Sequence, residues 1–385
     1  MGGLDNLPLK GFLGMDKGDL QEGFIPCLRL CELFYWETVR PLLDGHFPRL
    51  LHSAALIGDG SEVLGFDDSM SSDHHWGPRV MLFLREDEYA RQASTIRDVL
   101  AHQLPPEFRG YPTNFTQPNP ADNNVQFLQP IARGPVNHRI STHTVRGFFV
   151  EYLGWDIERV LEPADWLTFS EQRLRAVTAG ALYHDHVGLS SVRARLSYYP
   201  QDVWLYLLAA GWARIGQEEH LMGRAGMVGD GIGSALIAAR LVRDIMRLCF
   251  LMERTYAPYP KWFGTAFKQL SCSGELWPVL QATLTAVTWQ ERERFLVQAY
   301  ERIAAMHNAL QLTETLPQRA VPFYERPFQV IAVHGFARAL LQQIRDPAVK
   351  RIAQRLPIGS IDQFSDSTDL VSDPSWRPIL RQLYG

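Results

Sequence analysis

A chain of 385 residues, 46% hydrophobic and 21% charged, has ordinary globular composition and is too long for one small core, so two domains are expected. Its net charge of −4 speaks against a surface that coats nucleic acid, which would be basic, and leaves room only for a local basic pocket. The longest apolar runs are too short to span a bilayer, so no membrane is expected; the start, Met1–Asp5, lacks the basic and apolar segments of a secretory leader. Cys27, Cys31, Cys249 and Cys272 sit in apolar surroundings without zinc-type spacing, which fits a reducing cytoplasm.

In chain order, residues 1–25 read as a polar, Gly-rich arm, and Cys27–Leu43 as a helix with apolar positions at Leu30, Leu33, Phe34, Val39, Leu42 and Leu43. Ala54–Ile57 is a short apolar run ended by Gly58-Asp59-Gly60-Ser61, the pattern of a buried strand stopping at a functional turn. Glycines there let backbone approach a ligand, and the free N–H groups can cradle phosphate oxygens. Ser72-Asp73-His74-His75-Trp76-Gly77 follows and leads into Val80–Leu84, read as one strand on which Asp73 and His75 share a face and could hold a metal.

Asp87–Leu104 reads as a helix with acids in its first turn. The proline-rich stretch 105–137 is a long irregular insertion, either a cover over a site or a surface excursion. His138–Leu153 reads as a strand with Glu151 at its far end, a third metal carboxylate or a surface acid. From about 163 the pattern is helical, with no clear strand. Tyr183–Gly188 reads as a turn, its His184, Asp185 and His186 a hydrogen-bonded junction or a metal cluster. The Gly-rich run 223–234 either holds an anion at a helix start or lets helices pack closely. Ser234–Tyr256 is apolar nearly all round, the mark of a buried helix, yet carries Arg240, Arg243, Arg247 and Arg254 on one stripe. Their partners are internal acids such as Glu218 and Glu219, or an anionic ligand, unless the stripe is simply solvated. Pro258 and Pro260 then fix Lys261 beside Trp262, and the polar end near 359–369 folds back over a site or trails away.

Gly60-Ser61 followed by Asp73-x-His75 resembles the nucleotidyltransferase superfamily of polymerase-beta-like and aminoglycoside-modifying enzymes. The resemblance implies that Gly60 and Ser61 hold nucleotide phosphates and that Asp73, His75 and Glu151 hold the metal. Imidazole in place of the usual second acid suits Mn²⁺ better than Mg²⁺. Lys261-Trp262 resembles the lysine–tryptophan turn in the helical domain of kanamycin-type nucleotidyltransferases, which implies that Lys261 faces the phosphates. Arg240 and Arg243 would add charge, and Glu218 or Glu219 would serve as base. Ser72–Arg79, Asp202–Ala210 and Lys261–Phe267 also resemble the motifs of a family known only as a domain of unknown function, with no established substrate.

The expectation is therefore an α+β protein: an N-terminal arm (1–25), a small mixed-sheet nucleotidyltransferase-like domain (26–162, insertion 105–137) and a helical substrate domain (163–385). It would move a nucleoside monophosphate from a nucleoside triphosphate, ATP first, to a hydroxyl of a small-molecule acceptor, with Mg²⁺ or Mn²⁺. The alternative is a non-catalytic nucleotide or small-molecule binder on the same fold, with His75 replacing the second metal carboxylate. A zinc hydrolase built on His74, His75, His184 and His186 is a third reading.

Overall fold

The structure is a computed structural model that describes residues 24–68, 75–122 and 124–385. Helix α1 (Cys27–Phe34) runs through a π turn (Tyr35–Val39) into α2 (Arg40–His46), and strand β1 (His52–Leu56) follows. Next come β2 (Arg79–Leu84), α3 (Glu86–Gln103), a tiny hairpin of β3 (Glu107–Phe108) and β4 (Tyr111–Pro112), β5 (Arg139–Thr144) and α4 (Val145–Leu153). The chain continues through α5 (Pro163–Thr168), α6 (Glu171–Thr178), β6 (Ala181–Asp185) and α7 (Leu189–Arg195) into a long helical hairpin, α8 (Gln201–Met227) and α9 (Gly231–Met252). Helices α10 (Pro260–Phe267), α11 (Ser273–Thr285), α12 (Trp289–Ala309), α13 (Phe336–Gln343) and α14 (Pro347–Ala353) pack around that hairpin. Short turns of helix, among them α15 (Ile361–Phe364), α16 (Thr368–Ser372) and α17 (Arg377–Leu380), lead to the C-terminus. This is the expected α+β architecture.

The main sheet has the order β5-β2-β1-β6, with β1 antiparallel to β2 and β6, and β2 parallel to β5. Every residue of β1 is buried, and its side chains alternate between two cores, as strand geometry requires. Ala54 and Leu56 join Leu30, Phe34, Val80, Leu82 and Ile96 on the side of α1 and α3. Ala55 and Phe83 face Phe148, Phe149 and the helical half, including Trp204, Leu241 and Phe250, in one continuous core.

Three readings of the sequence are corrected. Of the stretch Tyr183–Gly188 read as a turn, residues 183–185 belong to the edge strand β6, so the helical half itself supplies a strand to the sheet. His138–Leu153 is not one strand: Thr144 accepts a hydrogen bond from the Gly147 N–H (2.9 Å), caps α4 and turns the second half into helix. The second strand of the sheet starts only at Arg79; His75 precedes it in a bend with φ of 57° and is not part of the strand. The Gly-rich run 223–234 is a packing device. A Cβ on Gly226 would meet the Trp289 ring at 2.3 Å, and Asp230 caps α9 by accepting from the Gly233 N–H at 2.7 Å.

β6 is locked to the turn after β1 by Gly180. Its φ is +71°, its N–H donates to the Val63 carbonyl at 2.9 Å, and a Cβ there would lie 2.2 Å from the Leu56 oxygen. Gly180→Ala should therefore cost about 2 kcal/mol or more, read as a fall in the urea midpoint. An unchanged midpoint would show that β6 is not held in this register.

Candidate functional site

A cavity of about 800 Å³ opens where β1 ends. Gly58 (φ +91°) and Gly60 (φ +136°) turn the chain there, and the Gly58 N–H donates to the Ala176 carbonyl of α6 at 3.0 Å. The φ of +136° favours glycine at position 60, where a Cβ would also displace the Glu62 carboxylate, 2.2 Å away. Ser61 follows, and its carbonyl accepts from the N–H of Leu64 (3.2 Å) and of Phe66 (3.0 Å) in a tight turn.

The opposite wall comes from the first turn of α10 and the Tyr259 that precedes it. The Trp262 indole N–H donates to Ser61 Oγ (3.0 Å) and to the Tyr259 hydroxyl (2.8 Å), and Ser61 Oγ and the Tyr259 hydroxyl are themselves 3.0 Å apart. This triangle ties the helical half to the Gly-Ser turn and sets Lys261 on the cavity lining, its Nζ 4.9 Å from the Trp262 ring centroid. Among the described residues no carboxylate pairs with Lys261.

Two arginines that the sequence reading did not single out complete the floor. Arg79 and Arg139 open β2 and β5 and are direct partners in the parallel register, so both guanidinium groups project into the same space. Arg79 forms an ion pair with Glu62, and its Nε is buried without a hydrogen-bond partner. Arg139 donates to His75 Nδ1; burial, with the neighbouring Arg79 charge, pushes its pKa down to about 10, so it remains a cation at neutral pH. Among the described residues the lining carries Arg79, Arg139 and Lys261 against Asp59 and Glu62, an excess of positive charge under a Gly-rich turn. The signal for the arginines was in the sequence, as two apolar strands that each begin with Arg, but only the register brings them together.

Two tyrosines and the insertion finish the walls. The Tyr152 hydroxyl donates to Asp59 Oδ1 at 2.7 Å; burial and the Asp59 charge raise its pKa, so it stays protonated as that donor. Gln126 of the proline-rich insertion lines the cavity, and its carbonyl accepts from the His75 N–H at 2.9 Å. Gly77 packs against Leu128 and Phe115 of the same insertion. The stretch is therefore a wall of the cavity rather than a bare excursion.

Gly60, Ser61, His75 and Lys261 are thus brought together, whereas Glu151, Glu218, Glu219, Arg240 and Arg243 stay off the lining. Asp73 lies outside the described residues. Glu151 is exposed on α4 and off the lining. Glu218 pairs with Arg240 at 2.9 Å on the bundle surface, and Arg243 pairs with Asp366 at 2.8 Å. Glu219 is buried inside the helical half, accepting from the N–H of Ile331 (2.8 Å) and Ala332 (3.2 Å). The arginine stripe found protein partners: Arg247 faces Glu171 at 3.7 Å, and Arg254 lies over the Trp204 ring at 3.9 Å. None of these groups touches the cavity.

The described residues do not fit a bound divalent ion. No group of three or more His, Cys, Asp or Glu among them could hold one. A guanidinium already occupies His75 Nδ1, Glu62 is taken by Arg79, and Asp59 accepts the hydrogen bond of the Tyr152 hydroxyl. Nor do the other described histidines make a metal cluster. His184 on β6 and His186 just after it face each other at 3.2 Å, off the cavity lining, while His74 lies outside the described residues. Asp185 between them anchors the next helix. Burial would raise its pKa, but bonds from the Ser190 and Ser53 hydroxyls and from the Ser190 and Leu189 N–H groups outweigh that and hold it at about 2.

These features define an α+β protein with a cationic cavity between a glycine–serine turn of its sheet and a lysine turn of its helical half. Residues 166–263 match the family model described as "Domain of unknown function (DUF4037)", a span from α5 to Lys261–Phe263 that also takes in Asp202–Ala210. Among solved structures the chain is similar to a nucleotidyltransferase-like protein from Exiguobacterium sibiricum 255-15, at 9% identity over 77% of this chain and 83% of that one, with a TM-score of 0.31. No curated protein matches.

Proposed function

We propose that the cavity binds the phosphates of a nucleoside triphosphate, ATP first, and that the protein transfers the nucleoside monophosphate to a hydroxyl of a small molecule. One observation carries this reading: the Gly58–Ser61 turn, Lys261 and the Arg79–Arg139 pair all line one cavity of about 800 Å³, with more cations than acids among its described residues. Backbone N–H groups of the turn would hold phosphate oxygens, while Lys261 and Arg139 offset the charge of the polyphosphate. The acceptor oxygen would attack the α-phosphorus and form a new P–O bond. The bond to the β-bridging oxygen breaks and pyrophosphate leaves. The hydroxyl proton passes to Asp59, the acid on the lining that is not in an ion pair with an arginine.

Asp73 remains the carboxylate proposed for Mg²⁺ or Mn²⁺. No step is drawn through a metal, because the described donors do not assemble one. A second reading, nucleotide binding without turnover, is favoured by the Arg139 guanidinium on His75, where a metal-binding acid would stand in an active enzyme.

Calorimetry with ATP and the three other triphosphates, run with Mg²⁺, with Mn²⁺ and without metal, tests the binding. Lys261→Ala should weaken ATP by about tenfold or more, the value of one charge-assisted contact. Equal affinity in that variant would remove the phosphate role of Lys261. Unchanged metal dependence in Asp73→Ala would remove Asp73. Tight binding with no pyrophosphate release from any hydroxylated acceptor would favour the binder.

A further inference from the structure

A second cavity of about 330 Å³ lies on the other side of the glycine turn. It shares Gly58, Asp59, Gly60, Tyr152 and Tyr259 with the large one, so the two chambers meet at Asp59. Its outer wall is made by α6 and by the C-terminal segment, which folds back onto the site. Gln172 Nε2 donates to Ser372 Oγ at 3.1 Å, and Arg173 donates to the backbone carbonyls of Tyr152 and Ser372. We propose that this smaller chamber is the acceptor subsite, and that it takes an uncharged, ring-sized polyol such as a monosaccharide or cyclitol. Calling the ligand an acceptor rests on the nucleotide reading above; the existence and chemistry of the subsite do not.

The chemistry of the wall sets the ligand class. Among the described residues its charged side chains are Asp59 and Arg173, one of each sign. Arg173 is already spent on two carbonyls and on the Tyr152 ring, 4.5 Å away, so it offers no strong grip to an anion. Asp59 is a single acid already accepting from Tyr152, which is a weak anchor for a polycation. What remains is the Thr368 hydroxyl and the donor and acceptor capacity that the Gln172 amide and the Ser372 and Tyr259 hydroxyls keep beyond their bonds to each other, to Trp262 and to Ser61, groups that both donate and accept as a polyol requires. Leu64 and Pro260 supply the apolar surface that the C–H face of a sugar ring covers. The volume equals about ten waters at liquid density, room for one ring with part of its hydration. A hydroxyl of such a ring directed at Asp59 would stand at the boundary with the nucleotide chamber, where transfer needs it.

The test reads ligand binding directly, on the full chain and without nucleotide, by ligand-observed NMR. The probes are D-glucose and myo-inositol, with glucosamine and glucuronate as charged isosteres of similar size. Glucose or inositol should bind at millimolar concentration and be preferred about tenfold over both charged probes. Thr368→Trp, at an exposed position on the rim, should abolish that binding by filling the chamber while ATP affinity stays within about twofold. Gln172→Leu, which keeps volume and removes hydrogen bonds, should weaken it about tenfold and serves alone if the tryptophan variant fails to fold. Preference for a charged probe, no polyol binding to the wild type, or undiminished binding in Gln172→Leu would each overturn the subsite. Failure of ATP to bind the wild type would instead overturn the nucleotide reading, since the polyol measurement does not involve it.

Discussion

Asparagine at position 59 should slow pyrophosphate release by about a hundredfold or more while leaving ATP affinity within about twofold. The substitution is close to isosteric. Its amide oxygen still accepts from the Tyr152 hydroxyl, which now sits 2.7 Å from Asp59 Oδ1, so the turn between the two chambers keeps its shape. What is lost is the basic oxygen that takes the acceptor proton. The loss should therefore appear in kcat, with the KM for ATP little changed. Steady-state kinetics with a coupled pyrophosphate assay is the measurement. Turnover within threefold of the wild type would take the proton-accepting role away from Asp59. Glu62→Gln makes a useful contrast: it strands Arg79 without its carboxylate, so the damage should appear in folding stability before chemistry.

The second large effect concerns Glu219, an acid that the sequence offers as a base and the structure places in a core. Burial lifts its pKa to about 7, against the opposing pull of the Ile331 and Ala332 N–H groups. A carboxyl raised from 4.5 in the unfolded chain to about 7 in the folded one binds its proton more tightly when folded. Stability from this group is thus lost as pH rises from about 4.5, and the loss is complete above about 7. Glu219→Gln carries no such cost. Its stability relative to wild type should be near parity at pH 5 and greater by up to about 3 kcal/mol at pH 8, measured by denaturant titration at both values. A gap that does not widen between those two values would show that Glu219 is not buried as charge. The comparison must be variant against wild type, because other groups act in the same range. Glu171, also raised to about 7 by burial, adds to the same slope, whereas His52 and His307, both pushed down to about 4 chiefly by burial, oppose it.

What the sequence made legible was local. The strand before Gly58, the glycine turn with Ser61, and the proline-fixed Lys261–Trp262 pair are each written within a few residues, and all of them reached one cavity. Helix α3 was legible from the acids of its first turn, and α9 from its nearly continuous apolar run. What was hidden depended on pairing across distance. β6 is short, half-buried and polar at His184 and Asp185, and it becomes a strand only because it lies antiparallel to β1. Arg139 acquires meaning only beside Arg79. The arginine stripe of α9 was visible, but Asp366, which answers Arg243, comes from a C-terminal segment whose course could not be read from its own composition. Tyr152 was masked by a β-like run of Val and Phe that Thr144 divides into strand and helix.

Because β6 is contributed from beyond residue 162, that position is a poor place to cut the chain. A piece stopping there would leave one side of β1 with unpaired N–H and C=O groups, an invitation to edge-to-edge aggregation. It would also uncover Phe83, Phe148 and Phe149, which pack in the core shared with Trp204 and Leu241. Library building, domain grafting or isotope labelling of one half would have to respect this interlocked topology, and a chimera between relatives should exchange β1 and β6 as a matched pair.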